Sequence, residues 1–283
     1  MIAPFPKLII NAAITGMIPK KSDTPHVPVT AEEIIADAVM CGRAGASIVH
    51  LHARDANGDP DYRKEVYAEI IRGIRSLSPD LIICVTTSGR THTSFEKRSD
   101  VLGLEGAVAP DMASLTLGSM NFPRQAVVNA PEMIKRLALQ MKERRIIPEL
   151  EVFEPGMITT AKALIDMGIL VPPYYFNLLL GSIYSTPATM FDLSHMVQSL
   201  PAQVTWAATG IGASQLQINV AAILMGGNVR VGLEDNIFHD FRKRELGTNE
   251  GLIQRIVRLA NELGRDIATP REARALMGFA GRV

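Results

Sequence analysis

The sequence predicts an α/β protein, a single-domain (β/α)8 TIM barrel, and three observations predict it. Short apolar runs alternate with amphipathic stretches about eight times, which is the pattern of parallel strands covered by helices. The length of 283 residues accommodates eight such units. The first run is not followed by the Gly-rich GxGxxG turn that a doubly wound open sheet, the alternative fold, usually carries.

The elements follow one another at regular intervals. Helices are predicted over residues 31–43, 63–76, 130–144, 157–167, 189–198, 214–225 and 250–263, and TPREARALMG predicts a last one. Between CVTTSG and DMASLTL the pattern is less regular, and the helix there is predicted to be short. No linker, repeat or low-complexity tract divides the chain, so residues 1–283 are expected to form one domain with a C-terminal helical extension. The predicted strands are KLIINAAI, SIVHLHA, LIICVTT, DMASLTL, PELEVF, YYFNLLL, QVTWAAT and NVRVGLE.

Composition narrows the classes of partner. Lys plus Arg equals Asp plus Glu at 29 each, and no basic stripe or tract indicates binding to nucleic acid or to a membrane surface. The two cysteines, Cys41 and Cys84, lie in a helical and a strand pattern and are expected to be reduced core residues of a cytoplasmic protein. The near-zero net charge is compatible with a homo-oligomer such as a tetramer.

The stretch SIVHLHARD places two histidines in one predicted strand. His50 and His52 are two residues apart, so they point to the same side of the strand, near its C-terminal end. That end of a barrel strand is where functional groups gather. Two neutral imidazoles side by side are good ligands for a borderline metal such as zinc. The structural alternative is a pair of buried histidines that hydrogen-bond to backbone carbonyls.

A third ligand is predicted in NVRVGLEDN, at the end of strand eight. Alternation along that strand puts Arg230, Gly232 and Glu234 on one side. Because strand eight closes next to strand one, with strand two beyond it, Glu234 is expected to reach the two histidines. Two His and one carboxylate are a typical set for catalytic zinc. Asp235 follows, and with Arg230 beside it forms either a base next to a metal or a structural ion pair.

Other strand ends carry polar side chains. Thr86 and Ser114 offer hydroxyls to a substrate carboxylate or an oxyanion, although Ser and Thr in strands are often satisfied locally. Glu149 and Glu151 share one side of an otherwise apolar strand. A buried carboxylate is costly unless it is paired, so at least one of them is expected to contact Arg230, another arginine or the metal site.

Two loops complete the predicted C-terminal face. ATGIGASQ follows strand seven and opens a helix, where Gly210 and Gly212 are candidates to let the backbone approach an anion such as a phosphate. A plain tight turn is the equal alternative. KKSDTPHVPVT predicts a long loop after strand one. His26 lies in this loop and is expected at the surface unless the loop covers the site.

These segments together resemble the β-keto acid cleavage enzymes. The matching motifs are AAITG, VHLHAR, EGAVAPDMASLTLGSMNF, PELEVFEPGM, TWAATGIG, VRVGLEDNI and LGRDIATPREAR, and they extend over essentially the full chain. The joint presence of HLH and GLEDN at this spacing is specific for the resemblance to this family. The resemblance implies a (β/α)8 barrel that binds zinc.

The resemblance also implies roles for individual residues. The zinc ligands of the family are matched by His50, His52 and Glu234. The pair that handles the α-proton of the substrate is matched by Arg230 and Asp235. Positions that line the substrate pocket are matched by Thr86, Ser114 and Glu151.

The implied reaction joins a β-keto acid, R-CO-CH2-COO⁻, to acetyl-CoA and gives acetoacetate and R-CO-CoA. One position departs from the members that cleave 3-keto-5-aminohexanoate, which have an acidic residue two positions after TG, where this chain has Ile18. We therefore expect an R group that lacks the amine and is uncharged or differently charged. Lys20 and Lys21 follow closely and either favour an anionic R group or are solvated loop charges.

Two other classes of function stay open. A metal-dependent aldolase-type lyase or hydrolase on a small keto acid would use the same residues without CoA. A non-catalytic metal- or metabolite-binding barrel is disfavoured, because Arg230, Glu234 and Asp235 are all present beside the histidine pair. Dependence on acetyl-CoA separates the first alternative from a cleavage enzyme.

Overall fold

The predicted strands form a closed, all-parallel barrel in the computed structural model, which describes residues 5–240, 242 and 244–279. Strand β8 pairs with β1 and closes the barrel, so the (β/α)8 prediction is confirmed and an open doubly wound sheet is excluded. The barrel strands are β1 (Ile10–Ala13), β2 (Ile48–Leu51), β3 (Ile82–Val85), β4 (Met112–Thr116), β5 (Ile147–Val152), β6 (Tyr175–Leu180), β7 (Thr205–Gly210) and β8 (Asn228–Val231).

Helices cover the outside of the barrel, and local signals set their ends. Thr30 and Thr269 form capping boxes at the starts of α1 and α9, and prolines open α4, α5 and α9. The helices are α1 (Ala31–Ala44), α2 (Lys64–Leu77), α3 (Phe95–Ser99), α4 (Pro131–Glu143), α5 (Pro155–Asp166), α6 (Met190–Ser199), α7 (Gln215–Leu224), α8 (Asn249–Glu262) and α9 (Pro270–Met277). No helix in the described part of the chain combines the length and the apolar character that crossing a bilayer requires.

Shorter elements fill the loops. The stretch predicted to be irregular contains α3 and two 3-10 turns, Asp100–Gly103 and Gly106–Val108. A third 3-10 turn, Gly212–Ser214, precedes α7. Two short antiparallel ribbons pair Ala53–Arg54 with Pro60–Asp61 and Met120–Phe122 with Gln125–Val127.

The barrel interior changes from apolar to polar along its axis. Its lower layer packs against α9 and consists of Ile9, Ile48, Ile82, Met112, Ile147, Tyr175 and Ala207. Two residues further along their strands, the side chains point the same way and form the next layer. That layer includes Asn11, His50, Cys84, Glu149, Asn177 and Arg230, all buried. The fold therefore places a polar cluster above an apolar floor, towards the C-terminal ends of the strands.

The turn after β8 requires glycine at position 232. Gly232 has φ 154, and a Cβ there would lie 2.1 Å from the carbonyl oxygen of Ala13 on the neighbouring strand. We expect Gly232→Ala to lower the free energy of unfolding by roughly 2–4 kcal/mol in denaturant titrations, because strain and overlap add. Gly103→Ala is the matched control, since a Cβ there meets nothing within 4 Å. Equal unfolding free energies for the two variants would contradict the close approach.

Candidate metal centre and active site

The two histidines of the HLH segment meet a carboxylate at the C-terminal end of β2. The Nε2 atoms of His50 and His52 are 3.2 Å apart. Glu234 places Oε1 3.2 Å from His52 Nε2 and Oε2 3.9 Å from His50 Nε2. Two nitrogen ligands of one tetrahedral zinc ion lie roughly 3.4 Å apart. The structure thus brings the three predicted ligands together at distances that one metal ion can span.

Glu234 reaches the histidines through a turn. β8 ends at Val231, earlier than the extended strand predicted through Glu234, so strand alternation does not place this side chain. The backbone N–H groups of Asp235 and Asn236 donate to the Gly232 carbonyl and close the turn. The N–H of Glu234 donates to the Ala13 carbonyl at 3.1 Å. The turn folds Glu234 back over the barrel mouth.

Glu149 holds His50 from below. Its Oε2 accepts a 2.7 Å hydrogen bond from His50 Nδ1, and its oxygens also accept from Asn11, Asn177 and the Cys84 thiol. Burial opposes ionisation of Glu149, but His50 and the other neighbours outweigh it and lower its pKa to about 2. An ionised partner at Nδ1 leaves the Nε2 lone pair of His50 facing His52 and Glu234, as a metal ligand requires.

The two imidazoles differ in their affinity for protons. Burial lowers the pKa of His52. Burial also opposes protonation of His50, but the charges of Glu149 and Glu234 outweigh it and raise its pKa. Because a metal needs the unprotonated nitrogen, metal binding at this site is expected to weaken as the pH falls and His50 gains a proton.

Arg230 lies at the centre of the polar cluster. Its guanidinium is buried and contacts Glu234 at 2.8 Å and Asp235 at 2.9 Å. Glu151 and Glu149 lie at 3.5 and 3.8 Å. Burial raises the pKa of Asp235 and of Glu151 more than Arg230 lowers it. Burial also acts to raise the pKa of Glu234, but Arg230 and the histidines outweigh it and hold that pKa well below its usual range. The prediction that Glu149 or Glu151 meets an arginine or the metal site is confirmed.

The charge balance of the cluster fits a divalent cation. Four carboxylates surround one guanidinium, which leaves an excess of buried negative charge. Oε2 of Glu234 is buried without a hydrogen-bond partner, and it faces His50 Nε2. A cation between these atoms would use the unpartnered oxygen and separate the two facing nitrogens. The donor set of two imidazoles and one carboxylate therefore fits a metal ion.

A second cluster of metal-binding residue types shares His50. Its atoms are His50 Nδ1, the Cys84 sulfur and Glu149. All three are closed off from the cavity, and the Nδ1 hydrogen bond already occupies Glu149. Burial raises the pKa of the Cys84 thiol well above its usual range, which disfavours the thiolate that binds metals. The set with His52 and Glu234 is the better metal site.

A cavity of about 590 Å³ opens above the candidate metal ligands. Thr86, Glu151 and Ile18, three of the predicted substrate contacts, line it. Ser114 differs from the expectation, because it is buried behind the wall and its hydroxyl accepts a hydrogen bond from the Thr87 N–H. Thr116, two residues along the same strand, lines the cavity and donates to Glu151 at 2.7 Å.

The loops after β7 and β1 both contribute residues to the lining of the cavity. Gly212 lines the cavity, but its N–H donates to the Asp235 carbonyl at 2.7 Å. A Cβ on Gly210 would lie 2.3 Å from the Ser214 carbonyl oxygen, so both glycines serve a tight turn in this structure. In the loop after β1, Met17, Ile18 and Pro19 line the cavity. His26 is exposed and is not among the lining residues.

Sequence reasoning missed two residues of the site. Asn11 and Asn177 donate to Glu149 from β1 and β6. Each is a single polar residue in an otherwise apolar strand, and that was the available signal. Cys84 was expected to be a core residue and is one, although it also contacts Glu149.

A closed barrel with a possible metal site and a carboxylate–guanidinium pair at its C-terminal mouth has the architecture of a barrel enzyme. Residues 7–279 match the family described as BKACE, beta-keto acid cleavage enzyme, and the chain belongs to this family. The family resemblance predicted from the HLH and GLEDN motifs is therefore confirmed.

Relatives of known function cover nearly the whole chain. The chain is 42% identical to the 3-keto-5-aminohexanoate cleavage enzyme of Fusobacterium nucleatum subsp. nucleatum, over 96% of this chain and 98% of that one. It is 36% identical to the 3-oxoadipate:acetyl-CoA acetyltransferase of Cupriavidus necator, over 96% and 94%. A solved structure of ObcA in ternary complex with a C4-CoA adduct and oxalate has a TM-score of 0.81 at 21% identity, over 90% of this chain and 68% of that chain. The last comparison shows the fold alone.

The hydrogen bond from His50 to Glu149 generates a prediction about metal affinity. In Glu149→Gln, one side of the new amide carries N–H groups that face existing donors, and the negative charge behind His50 is lost. We expect the affinity for Zn²⁺, measured by chelator competition, to fall roughly 10- to 100-fold. Glu143→Gln, at an exposed position of α4, is the control and should bind Zn²⁺ like the unmodified protein. An unchanged affinity in Glu149→Gln would show that Glu149 does not position the ligand.

Proposed function

We propose that the chain cleaves a β-keto acid with acetyl-CoA, so that R-CO-CH2-COO⁻ and acetyl-CoA give acetoacetate and R-CO-CoA. The observation that carries the proposal is Asp235, held by Arg230 at the edge of a cavity beside the candidate metal ligands. Family membership supports the same reaction class. The names of the two relatives give β-keto acids as substrates, and one also gives acetyl-CoA.

Asp235 is the proposed base for the α-proton of the β-keto acid. Arg230 orients it through Nε–Oδ2 at 2.9 Å and Nη2–Oδ1 at 3.4 Å. Burial raises the pKa of this carboxyl, which makes it a better proton acceptor than a solvated aspartate. A proton taken by Asp235 stays next to the cavity, so the same group can return it later.

The proposed metal is zinc, held by His50, His52 and Glu234. Two imidazole nitrogens and one carboxylate are a common protein ligand set for catalytic zinc. When bound, the ion would act as a Lewis acid towards a substrate carbonyl and lower the energy of the enolate form. Glu149 would orient one of its ligands, as its hydrogen bond to His50 indicates.

The remaining wall residues are proposed to orient the two substrates. The hydroxyl of Thr86 and the Thr116–Glu151 pair offer polar contacts to the β-keto acid. Ser114 would act only indirectly, by supporting the backbone next to Thr86. We place acetyl-CoA along the turn that contains Gly212, because this turn borders the cavity on the side of Asp235.

The R group of the substrate is proposed to lack an amine. Ile18 lines the cavity, is 54% exposed and offers no charge to an ammonium group. A fixed ammonium would enter an apolar wall without a partner, which is unfavourable. An uncharged or anionic R group meets no such cost.

The chain is also proposed to assemble with copies of itself in the cytoplasm. Four large apolar side chains are exposed in one segment, and these are Ile183, Tyr184, Met190 and Phe191. Large apolar side chains that are exposed near one another in the sequence are often covered by another subunit. Both cysteines are free thiols, as expected in a reducing compartment. A mass measurement in solution tests the assembly, and a monomer at all concentrations would refute it.

A substrate panel tests the proposed reaction. Purified protein incubated with acetyl-CoA and a series of β-keto acids should form acetoacetate and one new acyl-CoA in equal amounts. Asp235→Asn should lower kcat roughly 10²- to 10⁴-fold, because it removes the base. Asp166→Asn, at an exposed position of α5, is the control and should keep the kcat of the unmodified protein.

The same panel separates the competing reactions. Consumption of keto acid without any new acyl-CoA would favour a lyase or hydrolase that does not use CoA. Full activity of the Asp235→Asn variant would contradict the assignment of the base.

A further inference from the structure

The proposed reaction uses Arg230 but leaves a second cavity arginine unexplained. Arg90 lies four residues after Thr86 and is half-buried in the wall of the same cavity. The three carboxylates that line this cavity are all in contact with Arg230. Within the described residues, Arg90 forms no ion pair and its guanidinium has no hydrogen bond. Arg90 is therefore a cation without an ion-pair partner, and it lines the substrate space.

Local contacts hold Arg90 in position. Its guanidinium carbon lies 3.9 Å from the centre of the Phe122 ring. The backbone N–H of Arg90 donates to the Ser88 hydroxyl at 3.3 Å, and its backbone carbonyl accepts from Gln125 Nε2 at 2.8 Å. Stacking on an aromatic face leaves the edge of the guanidinium, with its N–H groups, free to bind a ligand. The side chain is thus prepared to bind before the ligand arrives.

Other cations near the cavity do not offer the same site. Lys20 is exposed and contacts Asp59 at 3.4 Å, and Lys21 contacts Glu33 at 2.8 Å. Neither lysine is among the residues that line the cavity. The two loop lysines are solvated, paired charges in this structure. Among the described residues that line the cavity, the arginines are Arg230, which is paired with carboxylates, and Arg90, which is not.

We propose that Arg90 binds a second carboxylate at the far end of the R group, so that the substrate is a 3-oxo dicarboxylate. This inference rests on the proposed function and specifies its substrate class. A half-desolvated guanidinium with free N–H groups is a geometric match for a carboxylate, which it can hold with two parallel hydrogen bonds. Ile18, which also lines the cavity, adds no competing negative charge. A phosphate of CoA is the other anion that could reach this face, and the experiment distinguishes it.

The test compares two keto acids that differ only in charge. These are 3-oxoadipate and its monoamide at the far carboxylate, each with saturating acetyl-CoA. The unmodified protein should have the higher kcat/KM for the diacid. Arg90→Met should reduce this preference roughly 10- to 100-fold, the range expected for a charge-assisted hydrogen bond. Arg90→Lys should retain part of it, and its thermal unfolding and that of Arg90→Met should show intact folds.

Lys20→Met is the matched control and should leave the preference within about twofold, because exposed ion pairs contribute little. The inference is overturned if the unmodified protein prefers the monoamide or an amine-bearing keto acid, or if Arg90→Met keeps the preference. A raised KM for acetyl-CoA with an unchanged preference would assign Arg90 to a CoA phosphate and also overturn it.

A binding measurement separates this inference from the proposed function. If no keto acid is turned over with acetyl-CoA, the proposed function fails. Calorimetric titration of the diacid and the monoamide into the unmodified protein and Arg90→Met still tests Arg90. Tighter binding of the diacid that disappears in Arg90→Met supports the anion site, and equal binding of the two ligands refutes it.

Discussion

The buried guanidinium of Arg230 is the interaction on which the site depends. It is in contact with carboxylates from β5 and from the turn after β8, and it links the wall of the barrel to its mouth. Removing one partner from such a cluster leaves a buried charge uncompensated, which costs several kcal/mol. The cluster therefore fixes Glu234 and Asp235 at the same time, one towards the histidines and one towards the cavity.

The fold lowers the free-energy cost of burying this cluster in the interior. Alternation along parallel strands puts an apolar layer at the bottom of the barrel and a polar layer directly above it. Buried polar groups in that layer satisfy one another, as Asn11 and Asn177 do with Glu149. The excess negative charge that remains is directed to the C-terminal mouth, where a cation can enter.

Part of this arrangement could be read from the sequence, because it follows from periodicity within single strands. The alternation of apolar strands and helices predicted the barrel, and the spacing of His50 and His52 predicted that they share a side. Contacts that depend on turns were harder to predict from the sequence. Glu234 reaches the histidines because the strand ends at Val231 and the chain folds back, which a period of two does not describe.

Other features depend on the third dimension alone. Ser114 and Thr116 alternate correctly, but only the height of each along the barrel axis decides which one meets the cavity. Arg90 carries no signal in sequence, since an arginine after a strand is ordinary until its neighbours are known to leave it unpaired.

Asp235, oriented by Arg230, is the proposed acceptor of the α-proton of a β-keto acid. Nuclear magnetic resonance can follow deuterium incorporation at C-2 of the keto acid in D2O without acetyl-CoA, which isolates proton transfer from the later steps. We expect exchange faster than the spontaneous rate with the unmodified protein, and a return to the spontaneous rate with Asp235→Asn. Exchange that is equally fast in both proteins would contradict it.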